Sequence, residues 1–237
     1  MMTRLTDSLG IDMENELQKS FPERLVVDVG AQEALQKINN FQSVMMMYNC
    51  AIKEVRTKFE VLNDELSASS NRNPIEMIKS RVKKPESIVN KLLRRNLPVD
   101  IGSIMENLND VAGVRVICSF INDIYKIAQM FSGQDDITVL EVKDYIQNPK
   151  PNGYRSYHMI VEVPVFFSSV KQNIKVEVQL RTIAMDFWAS LEHTMKYKKD
   201  VQNADKIALE LKECADLITE ADFRMQEINN KITSEIE

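Results

Sequence analysis

Polar and apolar residues alternate without a break along Lys175-Val176-Glu177-Val178-Gln179-Leu180-Arg181-Thr182, and a period of two is the signature of a strand. Lys175, Glu177, Gln179 and Arg181 share one face, and Val176, Val178 and Leu180 the other. The chain must therefore build a sheet with one face on a core and one face that is charged. A second strand is read in Asp110-Val111-Ala112-Gly113-Val114-Arg115-Val116-Ile117-Cys118, apolar except for an acid at its start and an arginine five residues later. Charges in such a run are seldom buried without partners, so Asp110 and Arg115 either pair structurally or face a site. A carboxylate at Asp110 plus Glu177 on a neighbouring strand makes a two-acid platform for a hard cation such as Mg2+, which takes a few carboxylates together with substrate phosphates.

Two further segments carry chemistry. The run Lys143-Asp144-Tyr145-Ile146-Gln147-Asn148-Pro149-Lys150-Pro151-Asn152-Gly153-Tyr154-Arg155-Ser156-Tyr157-His158 packs cations, aromatics and turn residues into one loop. Its prolines, Asn152 and Gly153 forbid a helix, Lys150 and Arg155 offer charge to phosphate, and Tyr154 offers a ring face to a base. From Lys79 to Arg95 the chain carries Lys79, Arg81, Lys83, Lys84, Lys91, Arg94 and Arg95 against the single acid Glu86. The whole chain is acidic, at net −5, so these cations are focused on one spot instead of spread as a nucleic-acid surface requires. Pro85 suits the first position of a helix, on which Ser87 and Lys91 share a face. Solvated lysines on a helix rim or a surface loop are the plain alternative for both segments.

The arrangement around these segments is read as α+β. Phe41, Met45, Tyr48, Ile52, Val55, Phe59, Leu62 and Leu66 step by four and three, as do Ile207, Leu211, Cys214, Ile218, Ala221, Met225, Ile228 and Ile232. Such stripes argue for long N- and C-terminal helices that pack along their length, within one subunit or against another. Between them the pattern gives strands from Val111, at about 137–146, 156–166 and 174–181, and helices at about 122–132 and 182–197. That makes a mixed sheet of four to five strands flanked by helices. Asn71 to Pro74 reads as a helix break and restart, and residues 1 to about 30 show no clear period and are expected to be partly loose. The expected division is 1–73, an N-terminal helical extension; 74–200, the catalytic domain; and 201–237, a C-terminal helix. At 44% hydrophobic and 27% charged the composition is that of an ordinary soluble globule. With no apolar run of spanning length and no signal-type leader, no membrane association and a cytoplasmic location are expected. Cys50, Cys118 and Cys214 are widely separated in apolar surroundings and read as reduced core residues, with no zinc-type spacing.

The ordered blocks RVKKPESIVNKL, DVAGVRV, KDYIQNPKPNGYRSYH, VEVQLRT and FWASLEH, spread from about Pro74 to Tyr197, resemble the RelA/SpoT-type alarmone synthetases. The likeness is to the small single-domain synthetases, with the long N-terminal helical region and the VPVF strand end looking most like the RelP/YwaC-like subtype. The resemblance implies a nucleotidyltransferase-like core that transfers the β,γ-pyrophosphoryl group of ATP to the ribose 3′-hydroxyl of GDP or GTP, making (p)ppGpp and releasing AMP. Carried over by position, Arg81 and Arg115 sandwich adenine, and Lys83 and Lys91, with Ser87 nearby, hold the ATP phosphates. Asp110 and Glu177 ligate Mg2+, with Glu177 also a candidate general base. On the acceptor side Tyr154 stacks on guanine, Lys143 and Lys150 supply charge, and Asn152, His158 and Gln179 complete the pocket. Glu141-Val142-Lys143-Asp144 departs from the family, being intermediate between its RxKD and ExDD patterns, which unsettles transfer of metal stoichiometry and of the GDP-versus-GTP preference.

The same resemblance points to a homotetramer assembled through helical regions. Only two histidines are present, His158 and His193, too few for the family's hydrolase site, so none is expected, and His193 is expected to pack at the end of its helix. Two other readings stay open: another nucleotidyltransferase, which would release free pyrophosphate, and a non-catalytic module binding guanine nucleotide or single-stranded RNA.

Overall fold

One parallel pairing sits among three antiparallel ones in a five-stranded sheet of order β1-β2-β5-β4-β3. The computed structural model describes residues 29–70, 72–196 and 204–236. In chain order the elements are α1 (Val29–Ser70), β1 (Ile75–Val82), α2 (Pro85–Arg94), α3 (Ile101–Asn107), β2 (Ala112–Cys118), α4 (Ile121–Ser132), β3 (Thr138–Asp144), β4 (Tyr157–Phe166), β5 (Lys171–Thr182), α5 (Ile183–Lys196) and α6 (Ala204–Ile236). The α+β reading and the long terminal helices hold. The expectation of looseness over residues 1 to about 30 lies outside the described residues, apart from its last two, which are helical. The chain divides into two compact units, residues 1–40 and 41–237; the first is described only from residue 29, where it is helical.

In the second unit the apolar face of the sheet is the floor of the core. Val114, Val116, Val161, Val163, Val176, Val178 and Leu180 are all essentially buried, as β-branched and aliphatic side chains on a pleated surface should be. Over them lie α4 and the part of α1 from Phe41 onward. Tyr48, Ile52, Val55, Phe59, Leu62 and Leu66 of the first predicted stripe are buried in the same cluster as Ile124, Ile127 and Phe131 of α4. Phe59 and Phe131 stack with ring centroids 4.3 Å apart. Pro85 opens α2 as foreseen, and Asp100 caps α3 by accepting from the Ser103 amide at 2.7 Å.

Four expectations are corrected. Pro74 does not restart a helix: Ile75–Val82 is the edge strand β1, paired antiparallel with β2. Three of its four apolar residues, Ile75, Ile78 and Val82 but not Met77, fall at helical spacing, and strand pairing overrides that local pattern. The second stripe is not the buried face of α6. That helix seats through Ala215, Asp222 and Gln226, while Met225, Ile228 and Ile232 are exposed. Cys214 lies on the same outward side and is exposed; Cys118 is buried and Cys50 intermediate. His193 is exposed, not packed. No helix among the described residues is long and apolar enough to cross a membrane.

Truncating the α1–α4 contact tests this architecture. Phe59→Ala removes a fully buried ring and is expected to cost about 3–5 kcal/mol, read as a lower midpoint in urea unfolding with unchanged slope.

Candidate active site

The cross-strand register gathers the polar residues into two neighbouring rows. In one row Lys79 faces Arg115, Arg115 faces Gln179, Gln179 faces His158, and His158 faces Lys143. In the other, Arg81, Gly113, Glu177, Ile160 and Glu141 follow one another across the same five strands. Residues opposite one another in register project on one face, so the sheet displays a charged band about 19 Å long, four strand spacings. Six of the residues to which the resemblance gives a site role belong to it: Arg81, Arg115, Lys143, His158, Glu177 and Gln179.

At the β1–β2 end a cavity of about 190 Å³ is lined by Lys79, Arg81, Gly113, Arg115, Glu177 and Gln179, among others. Arg81 and Arg115 are diagonal neighbours, because Arg81 pairs with Gly113, two residues before Arg115. Diagonal positions in an antiparallel pair lie about 7–8 Å apart, close to twice the ~3.5 Å stacking distance, and Gly113 places no side chain between them. The geometry suits a planar ring slotted between two guanidinium planes.

Beyond the start of β2 sits a charge cluster. Asp110 Oδ2 pairs with Lys83 Nζ at 2.6 Å and Lys91 Nζ at 2.7 Å. The Lys83 amide donates to the Val111 carbonyl at 2.8 Å, which ties the end of β1 to this corner. Burial works against the Asp110 charge, but the two ammonium partners together outweigh it and hold its carboxyl below the usual carboxylate range. Ser87 is exposed on α2, one turn before Lys91. The sequence left open whether Asp110 pairs or faces a site, and it does pair, although not with Arg115. Its Oδ1, in contrast, is buried and takes no hydrogen bond among the described residues.

A hard divalent cation fits these donors in one respect: Asp110 has an uncommitted oxygen, and Glu177 is a second carboxylate on the adjoining strand. Among the described residues no group of three or more metal-ligating side chains assembles. Two carboxylates with the remaining positions left to phosphate and water is the donor set Mg2+ accepts.

The opposite end of the band carries the turn-rich loop. The Tyr154 hydroxyl lies 2.8 Å from His158 Nε2 and accepts from Arg181 Nη2 at 2.6 Å. With Arg181 donating, the phenolic proton is free to go to Nε2, which leaves the imidazole proton at Nδ1, 3.7 Å from Glu177 Oε1. Glu177 Oε2 accepts from Gln179 Nε2 at 2.9 Å. Burial and then the charges of Arg181, Lys150, Lys143 and Arg115 push the His158 pKa down to about 3, so the ring is neutral at physiological pH. Lys150 lies back over the rings of Tyr145 and Tyr154, at 4.5 and 4.8 Å from their centroids. Asn152 braces the loop, donating to Glu192 Oε1 at 3.0 Å. Lys143 pairs with Glu141 at 2.9 Å on the exposed edge strand.

Sequence reading missed two residues here. Arg181 was placed on the polar face of its strand but given no part, and Asp186, at the start of α5, was not singled out at all. Asp186 is buried and faces three cations, Lys79, Arg115 and Arg181, each at 3.1 Å. No local signal could have found it, since its partners lie on β1, β2 and β5. The support given by α6 was missed too. Asp222 accepts from Thr182 Oγ1 at 2.9 Å and stands 3.7 Å from Arg155 Nη1, and Trp188 Nε1 donates to the Leu211 carbonyl at 2.9 Å.

The closest approach of α6 to the loop is testable. Gly153 has φ +84°, and a Cβ there would meet the Ala215 Cβ at 2.4 Å. Gly153→Ala is therefore expected to displace the loop and cost more than the roughly 1 kcal/mol of the backbone conformation alone. Gly153→Ala with Ala215→Gly should recover the steric part but not the conformational part, as measured by thermal unfolding.

The family described as the region found in RelA / SpoT proteins matches residues 80–202. The chain is 43% identical over 195 residues to the GTP pyrophosphokinase YwaC of Bacillus subtilis strain 168, an alignment covering 82% of this chain and 93% of that protein. It is similar to the crystal structure of small alarmone synthetase 2 from Bacillus subtilis, with TM-score 0.73 and 44% identity over 81% of this chain and 99% of that one. The structure of small alarmone synthetase 1 from Bacillus subtilis bound to its product pppGpp matches with TM-score 0.75 and 32% identity, over 81% and 98% of the two chains. The expectation drawn from the ordered blocks, and the likeness to YwaC within it, is met: this chain belongs to the RelA/SpoT family.

Proposed function

We propose that the chain is a (p)ppGpp synthetase, a GTP/GDP pyrophosphokinase acting in the cytoplasm. The observation that carries the reading is the place of Glu177, in register with Gly113 between the Arg81–Arg115 diagonal on one side and the Tyr154–His158 pair on the other. The 43% identity to a GTP pyrophosphokinase and the fold shared with a pppGpp-bound synthetase support it.

In this reading adenine enters the slot between Arg81 and Arg115. Lys83 and Lys91, supported by Ser87 on α2, exchange Asp110 for the ATP phosphates. Tyr154 stacks on the guanine of GDP or GTP, and Lys143, Lys150, Asn152, His158 and Gln179 surround the rest of the acceptor. The acceptor 3′-oxygen attacks the β-phosphorus of ATP, the bond from that phosphorus to the α-phosphate oxygen breaks, and AMP leaves with the electron pair. Glu177 receives the 3′-hydroxyl proton. Neutral His158 beside it orients the carboxylate without neutralising it. Asp110 and Glu177 would hold Mg2+, which draws charge off the phosphate oxygens as the bond breaks. Positioning and fixed charge supply most of the acceleration, as in phosphoryl transfer generally. We also propose a homotetramer joined through helices, because Met225, Ile228 and Ile232 leave an exposed apolar stripe on α6; light scattering that returned the mass of a single 27.3 kDa chain would overturn it.

Incubation with ATP and GDP, followed by anion-exchange chromatography, should yield AMP and ppGpp, and EDTA should stop the reaction until Mg2+ is restored. Free pyrophosphate as the product would instead indicate nucleotidyl transfer. Glu177→Gln should bind both nucleotides and lose turnover about 100-fold or more. Tyr154→Ala should raise the KM for the guanine nucleotide, since base stacking is worth about 1–3 kcal/mol, and raise it more than the KM for ATP.

A further inference from the structure

Two guanidinium groups of like charge lie side by side in the middle of the band, and one carboxylate holds them there. Asp186 Oδ1 accepts from Arg115 Nη1 and from Arg181 Nη1, both at 3.1 Å, while its Oδ2 accepts from Lys79 Nζ at 3.1 Å. Asp186 is itself rigidly mounted: it follows β5 by four residues, and the Thr182 hydroxyl accepts from the Met185 amide at 3.1 Å in that turn. Its charge is secure. Burial opposes it, but Lys79, Arg115 and Arg181 outweigh burial and keep the carboxyl below the usual range.

The two arginines lead in opposite directions. Arg115 lines the cavity at the β1–β2 end. Arg181 turns its other terminal nitrogen to the Tyr154 hydroxyl at 2.6 Å and is buried to 4% exposure, which leaves it little room to rearrange alone. Both arginines also approach one amide oxygen, Gln179 Oε1, at 3.3 Å. A displacement of Arg115 therefore cannot occur without changing the forces on Arg181, and through it on the Tyr154 ring.

We propose that Asp186 is a positioning residue that couples the donor and acceptor subsites, so that seating ATP against Arg115 raises the affinity for the guanine nucleotide at Tyr154, and the reverse. The proposal rests on the assignment of those subsites above. Coupling of this kind is reciprocal, because the same factor must appear in both titrations. Asp186→Asn keeps the shape and removes the charge. Its amide nitrogen can only donate, and so would face either the two guanidiniums or the Lys79 ammonium, all of which also only donate.

The test is calorimetric titration of GDP into the protein with and without saturating α,β-methylene ATP, and the reverse titration. Wild type should show a common factor of about 5 or more in both directions, the lower end of measured couplings. Asp186→Asn should bring it near one, with a larger loss in kcat/KM than in kcat, and Asp186→Glu should restore part of it. Asp222→Asn, a buried carboxylate variant on α6 that touches neither arginine, should lower thermal stability and keep the factor. Tyr154→Phe removes only the last hydroxyl of the chain and should lower the factor while the protein stays folded. Persistence of the full factor in Asp186→Asn or Tyr154→Phe, or independent binding of the two nucleotides by an active wild type, overturns the coupling. A wild-type protein that makes no alarmone overturns the functional reading instead.

Discussion

The parallel pairing of β2 with β5 is the constraint from which the site follows. It sets Gly113 against Glu177 and Arg115 against Gln179, and a slip of one residue would turn Glu177 and Gln179 into the core. Parallel neighbours need a long connection, and here it runs through α4, β3, the turn-rich loop and β4. The segment that closes the parallel pair thus also delivers Tyr154 and His158 to the same sheet face. Burial of Val176, Val178 and Leu180 beneath that face holds the register.

Charge on that face is balanced locally. Cationic side chains including Lys79, Arg81, Lys83, Lys91, Lys143, Arg115 and Arg181 lie on or beside it; Glu141 pairs with Lys143 at the edge strand, and three further carboxylates, Asp110, Asp186 and Glu177, are set among the rest. Asp110 and Asp186 each engage more than one cation. Glu177 instead accepts from an amide and faces a neutral imidazole, which leaves it the least committed of the three. The acid left freest is the one placed between the two halves of the band, where a proton acceptor is useful.

Support for the loop comes from outside the sheet. Gly153 abuts Ala215 of α6, and Arg155 is almost wholly buried beside Asp222, with no hydrogen bond from its two terminal nitrogens among the described residues. Burial lowers the Arg155 pKa and raises that of Asp222, so the pair is held by packing as much as by charge. A loop rich in Pro, Asn and Gly would be free to wander in an isolated chain; here a helix fixes one flank and β4 the other.

Local patterns in the sequence determined the strands of period two, the Pro85 helix start, the buried stripe of α1 and, through the ordered blocks, the family. Each of those depends on neighbours within a turn or two along the chain, where spacing alone decides which side chains share a face. What the tertiary structure decided is pairing: β1 as an edge strand despite helical spacing, α6 seated on Asp222 and Gln226 instead of its apolar stripe, and Asp186 closing on three strands at once. A buried carboxylate takes its partners from wherever opposite charge can reach it in space. Separation along the chain carries no record of that, as with Asp186 and Lys79, 107 residues apart.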